Sequence, residues 1–434
     1  MQAGAATRTI NGELGRPIQG ATVNQLAQRV RDDLEANALY LVDGENRALL
    51  VSCDVVAVPH ATANRARASM AAAAGIPVSA IIITATHTHA GPSVTPTCYN
   101  KPVDEEYLSR LESILTELAV EAVADPQPVQ VGWGQGAARI GYNRRCCWAD
   151  GTHSMHGAAS KPGFTGIEGP DDPSQTGLFV RDMAGKLLAI LHSNTTPPTC
   201  FYGADFYSAD FPGAARGFLR DILGPIPVLY FNGAFGDIAL DPQPASGFGE
   251  QREQKMLRAA HLLCGETLRL LHEADFATDL PLAHVSEDLP IPVRMPSEER
   301  LAEARSTLAQ VDAGEKIPIW DQLFAFGSVA LREEFGEAGQ DILPIHALRV
   351  GDFALVTQPC ELFCHYGLNI KRRSPAAVTA VCGPANGYSG YCPTMEGILG
   401  GGYSGEPILW TRLVPEAGYR IVDTASRMLR DIFQ

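Results

Sequence analysis

Short apolar runs, rich in Val, Ile and Leu, alternate along the whole chain with longer stretches of helical period. The alternation predicts strands and helices in turn, an α/β pattern. "ANALYLVDGENRALLVSCDVV" predicts a hairpin that turns on Asp43-Gly44-Glu45-Asn46. Pro102 to Ala124 predicts an amphipathic helix with Leu108, Leu111, Leu115 and Leu118 in one stripe and Asp104 as its cap. "GLFVRDMAGKLLAILHSN" predicts a second hairpin, and "PIPVLYFNGAFGDIALDP" a buried strand entering a Gly-rich loop. A long helix follows over Gly249 to Glu273, with Met256, Leu263 and Leu270 on one face. "HALRVGDFALVTQPCELF" reads as a third hairpin feeding a helix. "AAVTAVCGPANGYSGYCPT" is a strand running into a loop, and Pro415 to Phe433 closes the chain as a helix. Cys146 to Gln175, rich in Gly, Ser, Pro and Asp, reads as a long surface excursion of the kind that often carries function. No repeat and no linker divides the chain. The expected architecture is therefore one domain over residues 1–434, with a mixed β-sheet core, many hairpins and flanking helices.

Composition narrows the classes. The 434 residues are 45% apolar and 19% charged, with a net charge of -15. That balance argues against nucleic acid or an anionic membrane as the main partner and leaves a small-molecule substrate. No apolar run reaches the ~18 residues of a membrane span, so no stable membrane anchoring is expected. The first residues lack the apolar core of a secretory signal. Ten cysteines in no zinc-ribbon spacing then read as reduced, mostly packed thiols, and the expected compartment is the cytoplasm.

Chemistry gathers where apolar runs end. In "IIITATHTHAGPS", Ile81 to Ser93, His87 and His89 stand one residue apart. Side chains i and i+2 of a strand share a face about 6–7 Å apart, so both rings could address one cleft if strand geometry persists. A bare His-x-His also fits two solvated loop histidines. His192 ends "KLLAILH", Glu361 follows "FALVTQPC", and Tyr388 and Tyr391 follow "AVTAV". Open α/β sheets place active sites at strand ends. Two His and one Glu are a common catalytic zinc set with a position left for water.

At these residues the chain resembles the neutral/alkaline ceramidase family, in its zinc-binding N-terminal catalytic domain. The resemblance is carried by "THTHAGP", "NRR" at Asn143–Arg145, "HSNTTP" at His192, "SADFPGAARGFL", "NGAFGD", "PCE" and "NGYSGYCPTMEGILGGGYSG", and it spans nearly the whole sequence. It implies a ceramidase-like fold and Zn2+ held by His87, His192, Glu361 and Tyr391. It further implies His89 beside the metal-bound water, with Arg144 and Tyr403 facing the substrate carbonyl. The family's serine in Gly-Asp-x-Ser is Ala239 here, its acidic residue after the downstream tyrosine is Ser404, and its C-terminal immunoglobulin-like domain has no counterpart. The chain thus resembles short bacterial members, with a substrate other than ceramide.

Such a set would form a metal-dependent, amidase-like hydrolase acting on an amide, ester or lactone. Zinc brings the pKa of bound water toward ~7 and polarises a carbonyl. His89 could move protons while Arg144 and Tyr403 stabilise the oxyanion. Asp54 and Asp237, also at strand ends, could orient metal-bound histidines or cap turns. His153 and His156 are expected to be exposed, Cys360 packed, and His261 and His272 on the boundary of the long helix. The competing readings are a metal-retaining ligand-binding protein without catalysis, and a true ceramidase or N-acyl amidase.

Overall fold

The computed structural model describes residues 1–434 except 21, 23, 156–159, 242–250 and 338. An eight-stranded mixed sheet has the spatial order Val228–Asn232, Leu187–Asn194, Ser174–Asp182, Gln127–Ala137, Gln2–Thr9, Glu35–Asp43, Asn46–Cys53, Ile81–Ala85. A second sheet runs Leu282–Pro292, Gln340–Val350, Phe353–Thr357, Val378–Cys382. Period-2 alternation explains how they stack. Leu39, Leu41, Leu50, Ile82, Leu191 and Phe231 meet Leu348, Val350, Phe353 and Leu355 in one core between the sheets. The alternate residues Ala38, Tyr40, Leu49, Ile81 and Ile83 pack against the helices His60–Ala74 and Glu105–Val123. Ile190, Val228 and Tyr230 pack against Asp210–Leu223 and Arg252–Glu273. Helices Ile319–Phe335, Cys364–Arg373 and Ala417–Ile432 cover the outer face of the second sheet. The result is four layers, helix–sheet–sheet–helix.

The hairpins form as expected: Asp43 pairs with Asn46 across its turn, and Leu178 with Leu191. Asp104 caps Glu105–Val123 by accepting from Tyr107 N, and all four stripe leucines are buried. The long helix starts at Arg252; Gly249 and Glu250, its expected start, lie outside the described residues. One expectation needs correction. The excursion is not irregular throughout, because Cys146–Trp148, His153–Ser154 and Phe164–Ile167 form a small sheet. The Ala-rich start, Gln2–Thr9, is a central strand, pairing with Glu35–Asp43 over all eight residues. Its composition is poor in β-branched residues, so partner strands decide its state.

Residues after Val378–Cys382 stitch the ends of both sheets together. Gly383 N donates to Asn232 O (3.0 Å), Ala85 N to Pro384 O (3.1 Å) and Ile83 N to Asn386 Oδ1 (2.8 Å). These are carboxyl ends of strands, where an α/β sheet leaves room for a site.

Candidate active site

His87 lies beyond its strand, which stops at Ala85, and takes φ 71°. A non-glycine residue in that region is costly and is held by its surroundings. His87 N donates to Val55 O (2.9 Å), and its Nδ1 sits 2.7 Å from Val56 O. A carbonyl only accepts, so Nδ1 carries the proton and Nε2 presents a lone pair. Burial, and then the Arg144 charge, pull the imidazole down to about 3, so it is neutral. The alternation argument for His87 and His89 therefore fails, since the strand has ended. The rings still meet edge-on, with centroids 5.0 Å apart. His89 N donates to Pro198 O (3.3 Å), and its Nδ1 is buried without a partner.

Nε2 of His87 faces Glu361 Oε2 at 3.7 Å. Glu361 is placed by a short parallel ladder in which it pairs with Tyr391, and its N donates to Gly390 O (2.8 Å). Gly390 has φ 70°, and a Cβ there would lie 2.4 Å from Trp410 O, so only glycine fits. Tyr388 OH donates to Glu361 Oε1 at 2.6 Å. Burial raises the Glu361 carboxyl, while Tyr388 and Arg144 work against it. Arg144 is anchored through its N to Asp237 O (2.8 Å), and its Nη2 reaches Tyr391 OH (3.3 Å) and Gly236 O (3.2 Å). Burial opposes its charge, yet Tyr391 and Glu361 hold its pKa up, so it is a permanent cation. The Tyr403 ring packs edge-on against Tyr391, with centroids 5.4 Å apart. Five segments distant in sequence thus supply His87 and His89, Arg144, Glu361, Tyr388 and Tyr391, and Tyr403.

His192 has contacts of its own. Its strand continues to Asn194, and at its register position it shares the helix-facing side with Ile190. Its Nδ1 meets Thr267 Oγ1 (2.9 Å) and its ring packs on Tyr230. The Thr267 hydroxyl donates to Leu263 O (2.7 Å) and so must accept from His192. Nε2 keeps a lone pair, buried and without a partner. Among the described residues, the group of three His, Cys, Asp or Glu with ligand atoms mutually within 4.8 Å is Cys147, His153 and Glu396, not a set with His87, His192 and Glu361. The residues that could hold a zinc ion are His87 and His192, each with an Nε2 lone pair, Glu361, and Tyr391, whose hydroxyl also meets Arg144 (3.3 Å). Zinc content of His192→Ala beside that of His87→Ala, measured by elemental analysis, tests the set: both should fall, and an unchanged content in His192→Ala would remove His192 from it.

The two aspartates have other work. Asp54 binds Arg216 (2.8 Å), and Asp237 accepts from Asn143 Nδ2 (2.8 Å) and Cys364 N (2.7 Å). The Val56 carbonyl, not a carboxylate, orients His87. His153 is not exposed: it bonds Glu168. His156 lies outside the described residues. Cys360 is buried, as expected. Sequence reasoning missed Tyr388 as the partner of Glu361; its place in "NGYSGY" was visible, its direction was not.

No protein-family model and no curated protein sequence matches the chain. Solved structures do, among them a neutral ceramidase from Pseudomonas aeruginosa (TM-score 0.74) and a ceramidase complexed with C2 (TM-score 0.72). Each is 17% identical and covers 99% of this chain and 74% of its own. The four-layer architecture is the fold these two ceramidases share.

Proposed function

We propose that this protein is a hydrolase of a carboxylic amide or ester bond, lactones included, acting on a small molecule other than ceramide. The observation that carries the reading is the buried pair of His87 Nε2 and Glu361 Oε2, 3.7 Å apart, beside the Arg144 cation and two tyrosines. A water between the pair would give its proton to Glu361, whose burial raises its affinity for one. His87, locked as the Nδ1–H tautomer, would accept a hydrogen bond from that water and aim it. Arg144 and Tyr403 would donate to the carbonyl oxygen as negative charge develops there. His89, with its unpartnered Nδ1, would relay a proton to the leaving group. The neutral-ceramidase fold supports amide chemistry as the first class to test. His87, His192, Glu361 and Tyr391 are the donors that could hold a metal ion, which would polarise the carbonyl and lower the pKa of bound water.

The net charge of -15 supports a small-molecule substrate rather than nucleic acid. No helix among the described residues is long and apolar enough to cross a membrane, and the buried cysteines fit a reducing compartment such as the cytoplasm. The test is turnover of a panel of N-acyl amides, esters and lactones by the full chain, with and without a chelator. Turnover sensitive to chelation would support the metal-dependent reading. Ligand binding without turnover of any member would favour the non-catalytic reading, which Ala239 supports by lacking a hydroxyl. Ala239→Ser should not create ceramide hydrolysis, because the pair above needs no serine. Strong ceramide turnover by this variant, measured by fatty-acid release, would identify a ceramidase that lost one group.

A further inference from the structure

We propose that Cys147, His153 and Glu396 bind one divalent transition metal of the zinc class, at a site separate from the His87–Glu361 pair. Their ligand atoms lie mutually within 4.8 Å. Atoms sharing a zinc ion at bonds of 2.0–2.3 Å sit roughly 3.3–3.8 Å apart, so small side-chain adjustments close the site. Cys147 and His153 face each other across an antiparallel ladder, and Glu396 comes from the helix Met395–Leu399.

The second observation is the support behind the histidine. His153 Nδ1 lies 2.6 Å from Glu168 Oε2. The carboxylate accepts, which leaves Nε2 as the nitrogen available to a metal. A carboxylate behind the imidazole is the usual support of a metal-bound histidine. Glu168 is in turn paired with Arg145, a fully buried side chain that also donates to Ser404 Oγ (2.6 Å) and Gly397 O (3.0 Å). Thiolate, imidazole and carboxylate together select zinc or cobalt over magnesium or calcium. On binding, the thiol proton leaves to solvent and sulfur bonds the metal.

Three protein ligands leave a fourth position. A cavity of about 530 Å³, lined in part by His153, Glu168, Glu396 and Asp237, gives solvent and small anions access to it. His153 N also donates to Gly400 O (2.8 Å), two residues before the turn Gly402–Ser404 that carries Tyr403. The metal would clip the small sheet of the excursion onto the segment that presents Tyr403 to the active site.

The experiment is titration of the chelator-treated full chain with Co2+, read by absorption. One equivalent should bind with a thiolate-to-cobalt charge-transfer band that Zn2+ displaces. Cys147→Ser should lose the band, whereas His87→Ala should keep it. Glu396→Gln alters an exposed side chain and should fold; it should weaken Co2+ binding about tenfold or more. Absence of the band in the native chain, its survival in Cys147→Ser, or unchanged affinity in Glu396→Gln would overturn the assignment.

Discussion

Glu361→Gln should lower turnover of the best panel substrate by about 10²–10⁴-fold, the usual size of a general acid–base contribution, while the protein stays folded. Glutamine keeps the shape of the side chain, and its carbonyl oxygen can still accept from Tyr388, which bonds Oε1 at 2.6 Å in the native protein. What it removes is the basic oxygen 3.7 Å from His87 Nε2. The carboxyl is buried and its pKa is raised by that burial, so losing the charge spares a desolvation cost and should not lower the melting temperature. Rates and thermal melts of the purified variant, side by side, decide the matter. A variant as active as the native protein would rule out Glu361 as the group that takes the water's proton.

The largest stability effect is expected at Arg216. Its guanidinium meets Asp54 Oδ2 at 2.8 Å and Glu35 Oε2 at 3.1 Å, and Arg220 meets Glu35 at 2.7 Å. Arg216 and Asp54 are almost fully buried. Removing one partner strands a charge away from water, which typically costs about 3–5 kcal/mol. Arg216→Met should therefore lower the urea midpoint by that equivalent. Adding Asp54→Asn should recover part of the loss, because no charge is then left facing an empty place. Activity should fall too. Asp54 opens the segment whose next two carbonyls, Val55 O and Val56 O, fix the backbone and ring of His87. If the single variant unfolds at the native midpoint, the pair is not a keystone of the fold.

Hairpins and the leucine-striped helix could be read from sequence because their cues are local: turn residues, caps and period. His192 shows where locality ends. An apolar run closing on a histidine looks like a strand end, yet the ladder runs two residues further, and alternation then turns the ring toward the helix Arg252–Glu273. His87 shows the opposite case, placed near its expected partners by a left-handed residue that no periodicity announces. The pairing of Glu361 with Tyr391 and the facing of Cys147 and His153 are matters of register, which depends on the partner strand.

The stitching of the two sheets bears on how this protein reaches its active form. The hydrogen bond from Ile83 to Asn386 closes a loop of 303 residues, and that from Arg144 to Tyr391 one of 247. Contacts so far apart in sequence form slowly, because chain entropy is spent before they repay it. Each sheet can collapse on its own helices first, with His87 and Glu361 still apart. In refolding from denaturant, secondary structure should therefore return well before activity. Chains shortened ahead of Asn386 should show helix and strand by circular dichroism and yet be inert, since neither Tyr388 nor Tyr391 would be there to complete the site.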